Sequence, residues 1–344
     1  MSRTVLVTGG SGYFGTLLAE QAVARGDRVR ILDLEPPTHT DIEVDFVQAD
    51  IRDRRAVNAA CEDVDVVLHN VAQVPLAKDH QAFWSVNVVG TANLLLGARE
   101  QGVEKVVHTS SSAIFGIPDS NPVTEDTPGR PLESYGRAKL TAEVLCREAV
   151  ASGLDVSIIR PRTILGHGRL GIMAILFEFV AEGAPVFVFG KGDNRYQFIH
   201  AVDLATATLL AADRPGPSTY NIGADAPPPT MRETLGALLD HAATGSEIRG
   251  LPTGPAAAAM RALAGVGMVP FAPYHWLLYG ESLWFDTTKA RVELDWTPTY
   301  DNAAMLIESY EWFIEHRARL DEMGGSHHQA PVPLGVLEAL KRLP

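Results

Sequence analysis

The chain has 344 residues, with 29 basic and 42 acidic side chains and a formal net charge of −13. Apolar residues make up 46% and charged residues 21%, which excludes a disordered chain and suits one large or two modest globular domains. The acidic balance argues against a nucleic-acid partner, whose phosphates need a basic face. Two cysteines, Cys61 and Cys146, leave no disulfide framework and no four-ligand zinc site, so no metal is expected.

The N-terminus runs into Thr4–Thr8 without a signal-peptide pattern, and the apolar runs are too short to span a bilayer. A cytoplasmic protein with no integral membrane span is the expectation. Thr4–Thr8, Arg28–Leu32, Val44–Gln48, Val64–His69, Lys105–Thr109 and Val156–Ile159 are short and rich in β-branched residues, as strands buried on both faces should be. Phe14–Ala24, Arg54–Cys61, Phe83–Glu100 and Tyr135–Ala151 read as helices between them. Repeated βα units predict an α/β fold, a Rossmann-type doubly wound parallel sheet.

After Arg160-Pro161 the rhythm changes. Met173–Ala181, Val202–Ala212, Met231–Ala243 and Asn302–Arg317 read as helices, and Pro185–Phe189 and Thr219–Ile222 as strands. Prolines concentrate here, which fits a smaller C-terminal α/β lobe. The expected division is a cofactor domain over 1–165, with a return around 195–225, and a substrate lobe over 166–194 and 226–320. Residues 321–344 form a tail containing an amphipathic segment, Leu334–Leu343. Between Gly254 and Gly280, Arg261 is the only charged residue.

Thr8-Gly9-Gly10-Ser11-Gly12-Tyr13-Phe14-Gly15 joins the first strand to the first helix, with glycines at 9, 12 and 15. One permits the tight turn, one lets backbone approach a pyrophosphate, and one allows close helix–strand packing. Asp33 ends the second strand, where a carboxylate accepts hydrogen bonds from ribose hydroxyls and repels a 2′-phosphate. NAD is therefore favoured, while Arg30 nearby leaves NADP open.

Tyr135 and Lys139 are four residues apart, on one face of a helix. An ammonium beside the phenol lowers its pKa from about 10 and opens proton transfer. The preceding strand ends in Thr109-Ser110-Ser111-Ser112, where a hydroxyl can polarise a substrate carbonyl.

In this order these motifs resemble the extended short-chain dehydrogenase/reductase family, the NAD-dependent epimerase/dehydratase group. The resemblance runs from about Thr4 to Arg317. It also rests on Asp50-Ile51, His69-Asn70-Val71-Ala72, Asn87, Ser-Ser-x-x-Ile-Phe-Gly, Arg160-Pro161, Phe198-Ile199-His200-Ala201-Val202-Asp203 and Tyr220-Asn221-Ile222-Gly223. It implies hydride transfer between a secondary alcohol or ketone and NAD. Tyr135 resembles the general acid/base, Lys139 the ribose ligand that tunes it, and Ser111 the catalytic hydroxyl, with Ser110 facing the sheet. Tyr13, Phe14, Asp50, Ile51, Val71, Ala72 and Pro161 fall where the family contacts its cofactor. Asn87 is expected to support the helix geometry, His200 to pack, and His167 to lie in a loop.

Departures narrow the substrate. Ser112 and Ala113 stand where the dehydratases carry an acidic pair, so sugar dehydration is not expected. Nucleotide-sugar enzymes of the family hold the diphosphate with two arginines. Arg195 sits one residue before the first position, which Tyr196 fills, and Pro273–Gly280 has no arginine at all. Ser112, Arg162, Arg195 and Trp276 are the candidate substrate contacts, with Arg169 and Lys191 as further cations. The first expectation is an epimerase acting at C4 of a nucleotide-activated sugar. The second, suggested by aromatics such as Phe271, Tyr274, Trp276, Tyr279, Trp284 and Phe285, is a 3β-hydroxysteroid dehydrogenase-like enzyme acting on an apolar alcohol or ketone. A non-catalytic dinucleotide-binding protein is the third. The resemblance also implies a homodimer built through Phe83–Glu100 and Tyr135–Ala151.

Overall fold

In β1 (Thr4–Thr8) all five residues are buried, with Val5 and Val7 in the core on one side of a sheet and Leu6 in the core on the other. That two-sided burial is what a doubly wound sheet requires. The computed structural model describes residues 2–37, 41–73, 80–171, 173–265 and 280–320. The other strands are β2 (Arg28–Asp33), β3 (Asp45–Gln48), β4 (Val66–His69), β5 (Lys105–Thr109), β6 (Val156–Pro161), β7 (Thr163–Leu165), β8 (Val186–Phe189), β9 (Phe198–His200), β10 (Thr219–Ile222) and β11 (Ile248–Leu251). Seven of them form one parallel sheet in the order β3-β2-β1-β4-β5-β6-β10. The order reverses between β1 and β4, so the crevice beyond their carboxyl ends is the place for a ligand.

Helices α1 (Tyr13–Ala24), α2 (Arg54–Ala60), α3 (His80–Trp84), α4 (Thr91–Glu100), α5 (Ser134–Ala151), α6 (Met173–Ala181), α7 (Ala201–Asp213), α8 (Met231–Ala242), α9 (Thr253–Gly265), α10 (Thr288–Glu293) and α11 (Asn302–His316) complete the described architecture. α1 and α7 cover one face of the sheet and share its core with Leu18, Leu204 and Trp296. The other face is closed by Val57 of α2, Leu94 of α4 and Cys146 of α5. A separate core, built on Phe177, Val186, Phe198, Leu235, Leu306 and Phe313, belongs to the smaller C-terminal lobe. Cys61 and Cys146 are buried and unbridged.

The structure corrects several sequence-based expectations. Phe83–Glu100 is not one regular helix: a π-helical turn, Ser85–Gly90, separates α3 from α4. At its end a Cβ on Gly90 would lie 2.6 Å from Ile51 Cγ2, so the helix leans directly on the 50–51 segment. β7 pairs with β9 and β11 with β8, outside the main sheet. β7, β9 and β11 were not expected, because three or four residues are too few to display a period. α9 occupies the beginning of the low-charge stretch. Its Pro255 lies in the first turn, where a missing N–H costs no helical hydrogen bond. The rest of that stretch and the Leu334–Leu343 segment lie outside the described residues. Among the described residues no helix is long and apolar enough to cross a membrane.

Gly15 locks the first turn of α1 to the loop before it. A Cβ there would lie 2.0 Å from Gly9 O and 2.7 Å from Gly10 Cα. Gly15→Ala is therefore expected to cost about 1–3 kcal/mol in urea unfolding, together with a loss of bound NAD. An unchanged urea midpoint would contradict that packing.

Candidate active site

Gly9 has φ +69°, and a Cβ on it would meet Val71 Cα at 2.8 Å. Gly12 is open by comparison, with Gly9 O at 3.4 Å its nearest neighbour. It is also the N-cap of α1, so it brings no capping side chain, and the first turn carries no acid. The leading N–H groups of α1 therefore have no side-chain acceptor and suit a pyrophosphate. Phe14 is in the core, so any cofactor contact it makes passes through its backbone. The Tyr13 ring turns toward the later chain, where a Cβ on Gly166 would lie 2.7 Å from Tyr13 Oη and the Arg169 guanidinium is 5.4 Å from the ring centre. Burial pushes the Tyr13 phenol up to about 12.

Asp33 accepts hydrogen bonds from the Ser11 amide at 3.0 Å and the Leu34 amide at 2.7 Å. Its carboxylate is thus fixed at the end of β2, beside the glycine loop. Arg30 is committed elsewhere: Nε pairs with Asp45 at 2.6 Å and Nη1 donates to the carbonyls of Ala60 and Glu62. It leaves Asp33 as the charge at the ribose position and weakens the NADP alternative. Asp50 is held by Arg52, whose hydrogen bonds keep its carboxyl below the ordinary value. Ile51 is buried, and its carbonyl accepts from Asn93.

The segment after β4, carrying Val71 and Ala72, is held by a relay the sequence reading missed. Thr8 Oγ1 lies 2.8 Å from His69 Nδ1, and His69 Nε2 lies 3.0 Å from Thr91 Oγ1. Thr91 donates to Asn87 O, which assigns the imidazole proton to Nε2. Asn87 in turn accepts from Gln73 N and donates to Gln73 O. Asn87 thus clamps the backbone at Gln73, where support of the helix geometry was expected. Burial, with the Lys139 charge nearby, lowers the His69 pKa to about 3, and burial holds neighbouring His108 well below its ordinary value.

The third part is α5. Glu133 caps it, accepting from the amides of Tyr135 and Gly136 at 2.6 Å each. A Cβ on Gly136 would lie 2.4 Å from Ala113 O, so only glycine lets α5 dock on the 3-10 turn Ser112–Phe115. Ser111 is the N-cap of that turn; its Oγ accepts from Ala113 N, leaving its proton to donate. Tyr135, 9% exposed, and Lys139, 2% exposed, follow along α5. Lys139 Nζ donates to Thr109 O at 2.8 Å, and burial lowers its pKa to about 8, with Glu143 acting in the opposite sense. Ser110, expected to face the sheet, donates to Glu143 Oε1 of α5 at 2.6 Å. Arg160 grips Glu143 in a fork, Nε to Oε1 at 2.9 Å and Nη2 to Oε2 at 2.8 Å. Glu143 was missed, although its spacing from Lys139 repeats that of Lys139 from Tyr135.

The substrate candidates separate. Ser112 is buried in the 3-10 turn and Pro161 closes β6. Arg195 sends Nη1 to Pro228 O. Arg162 is buried beneath Tyr196 and Phe285, while Trp276 lies outside the described residues. His200 caps α7 and stacks on Tyr300 at 3.9 Å; with His167 it pairs to Glu308, at 2.6 and 2.9 Å. These are structural roles, and among the described residues no acid, histidine or cysteine cluster suits a metal.

Comparison with known proteins identifies the family. Residues 5–223 match the NAD dependent epimerase/dehydratase family. The chain is 50% identical over 339 residues to the uncharacterized protein y4nG of Sinorhizobium fredii, covering 98% of this chain and 85% of that one. It is 33% identical over 239 residues to a UDP-glucose 4-epimerase of Mycolicibacterium smegmatis, covering 63% and 76%. Sterol demethylase protein B of Methylococcus capsulatus is 29% identical over 338 residues, covering 91% and 98%. Among solved structures, a UDP-glucose-4-epimerase of Stenotrophomonas maltophila with bound NAD and formylated UDP-arabinopyranose superposes with a TM-score of 0.75 at 25% identity, covering 92% and 99%.

The neutral His69 makes the floor of the site acid-sensitive. Unfolded, it takes up a proton below about 6.5; folded, it resists until about 3. Stability is therefore lost as pH falls from 6.5 toward 3, by about 2 kcal/mol at pH 5 for this group alone. His69→Gln should show a flatter fall in unfolding free energy between pH 7 and 5. Equal slopes in the two proteins would rule out the buried neutral imidazole.

Proposed function

Because the chain belongs to the NAD-dependent epimerase/dehydratase family, we propose that it oxidises and re-reduces C4 of a nucleotide-activated sugar, as an epimerase. The observation that carries this reading is α5: one helix, docked through Gly136, presents Tyr135 and Lys139 beside the turn capped by Ser111. Gly9, Gly12 and Gly15 with the N–H groups of α1 hold the pyrophosphate, and Asp33 the ribose. Asp50, Ile51, Val71, Ala72 and Pro161 line the remainder of that site.

Lys139 binds the nicotinamide ribose and its charge favours the Tyr135 phenolate. Tyr135 Oη removes the proton of the C4 hydroxyl while Ser111 Oγ–H steadies the same oxygen. NAD held there would supply the hydride acceptor for C4 and the donor for its re-reduction. Rotation of the keto sugar presents its other face, and Tyr135 gives the proton back. Alignment of these groups supplies most of the acceleration.

Residues 1–165 with 195–225 form the cofactor half in this reading, and 166–194 with 226–320 the substrate half. A similar UDP-glucose 4-epimerase supports the sugar. The near full-length likeness to sterol demethylase protein B, with Tyr196 where an arginine is expected, favours a second reading, an apolar alcohol or ketone. The cytoplasm is the compartment either reaction implies. Trp84, Val89 and Val144 are exposed apolar side chains on the faces of α3–α4 and α5, which supports a homodimer through these helices.

Denaturing the purified enzyme should release NAD, and native enzyme should interconvert one epimer pair in a panel of UDP- and dTDP-sugars. Freely exchanging cofactor with no response to any nucleotide sugar would favour the apolar substrate. Tyr135→Phe is expected to lower turnover by about 10²–10⁴-fold with NAD content retained; undiminished activity removes Tyr135 from the mechanism. Val144→Glu should convert the dimer to monomer in light scattering, and an unchanged mass places the interface elsewhere.

A further inference from the structure

Arg162 stands between β6 and β7 and is 1% exposed. Its Nε, Nη1 and Nη2 are all buried, and none has a hydrogen-bond partner among the described residues. The rings of Tyr196 and Phe285 lie 4.6 and 5.5 Å from its Cζ. Aromatic faces attract a cation, yet they offer no acceptor to the five N–H groups along its edge. Guanidinium stays charged at any physiological pH, so a buried one without a counter-charge is incomplete. Arg160, two residues earlier, shows the completed form: Glu143 grips two of its nitrogens and Glu125 O accepts from the third.

Position points to what completes Arg162. β5 and β6 are in register at Thr109 and Ile159. Ser111 and Pro161 are each two residues beyond that pair, so Arg162 follows at the level of the reacting groups. β7 and β9 pair Thr163 with Phe198, and Thr163 Oγ1 lies 2.8 Å from Tyr196 Oη, fixing the ring on which Arg162 rests. Tyr196 fills the position where the resemblance expects an arginine. Arg162 sets a cation against the ring that fills that position.

We propose that Arg162 is the receptor for an oxyanion of the substrate, either a phosphate of the diphosphate or a carboxylate on the sugar. The proposal rests on the nucleotide-sugar reading above and deepens it. The planar fork matches two oxygens of either group, and their charge satisfies the buried edge.

The test compares NAD-loaded wild type with R162M by calorimetry, using UDP-glucose and UDP-glucuronate. Thermal shift with inorganic pyrophosphate and with free glucuronate reads the oxyanion without a nucleotide. Loss of one charge-assisted contact weakens binding by about tenfold or more. If R162M weakens both UDP-sugars and abolishes the pyrophosphate shift, the phosphate is the source. If it weakens only UDP-glucuronate and abolishes only the glucuronate shift, the source is the carboxylate. Wild-type responses of R162M to every probe overturn the proposal, as does a wild type that responds to none. A wild type that responds to pyrophosphate or glucuronate but to no UDP-sugar defeats the nucleotide-sugar reading and leaves Arg162 as an oxyanion receptor. Should R162M fail to fold, R162K keeps the charge and loses the fork. Binding about tenfold weaker then supports the assignment, and wild-type affinity overturns it.

Discussion

The pair between Glu143 and Arg160 joins the helix that bears Tyr135 and Lys139 to the sheet beneath it. Glu143 is fully buried, and it takes Ser110 from the end of β5, Arg160 from β6 and Arg147 from its own helix. Breaking a buried pair of this kind leaves an uncompensated charge and costs about 3–5 kcal/mol. Because Tyr135, Lys139 and Glu143 share one face of α5, the same anchor sets the depth of the two upstream side chains. Burial of Lys139, which lowers its pKa to about 8, is a consequence of that depth. The Arg160 guanidinium, 5.3 Å from the Phe115 ring, extends the anchor to the 3-10 turn carrying the candidate hydroxyl's neighbours.

The cofactor side is organised differently, around groups that carry no formal charge. Thr8, His69, Thr91, Asn87 and Gln73 form one hydrogen-bonded relay from the end of β1 to the segment after β4. His69 can take part only while neutral, accepting on Nδ1 and donating on Nε2. Protonation would turn an acceptor into a donor facing a hydroxyl already fixed by the amide of Asn70. The π-helical turn belongs to this device, since it contains Asn87 and ends at Gly90, pressed on Ile51. A regular helix over the same residues would have satisfied local propensity. It would have placed the clamp differently.

Much of this was legible in the sequence, for identifiable reasons. The central strands β1 and β4 carry continuous apolar runs, Val5–Val7 and Val66–Leu68, because both their faces are covered, and the glycine loop and the Tyr135–Lys139 spacing obey local geometry. What could not be read depends on partners distant in sequence. Ser110 faces Glu143, and the importance of Gly136 depends on Ala113 O, 2.4 Å from where its Cβ would be. From the sequence Arg30 looked able to admit a 2′-phosphate, but Asp45 and the Ala60 and Glu62 carbonyls at the end of α2 hold it. β7 and β9 are invisible alone because each exists through pairing with the other, and Arg162 takes its surroundings from that pairing.

An acidic chain that binds an anionic cofactor needs local fields that outweigh its net charge of −13. Screening confines the influence of surface carboxylates to roughly 8–10 Å at physiological ionic strength, so the global balance matters little inside a crevice. On the cofactor side the field comes from backbone: the uncapped N-terminus of α1, with no acid in its first turn. Near the β6–β7 junction it comes from Arg162, whose nitrogens have no hydrogen-bond partner among the described residues. The two devices differ in selectivity. A helix terminus accepts anions of many shapes, whereas a guanidinium held between two rings accepts only a group that can reach its edge. In the proposed reading, discrimination among substrates falls to Arg162 just beyond β6, and the helix terminus is left free to remain general.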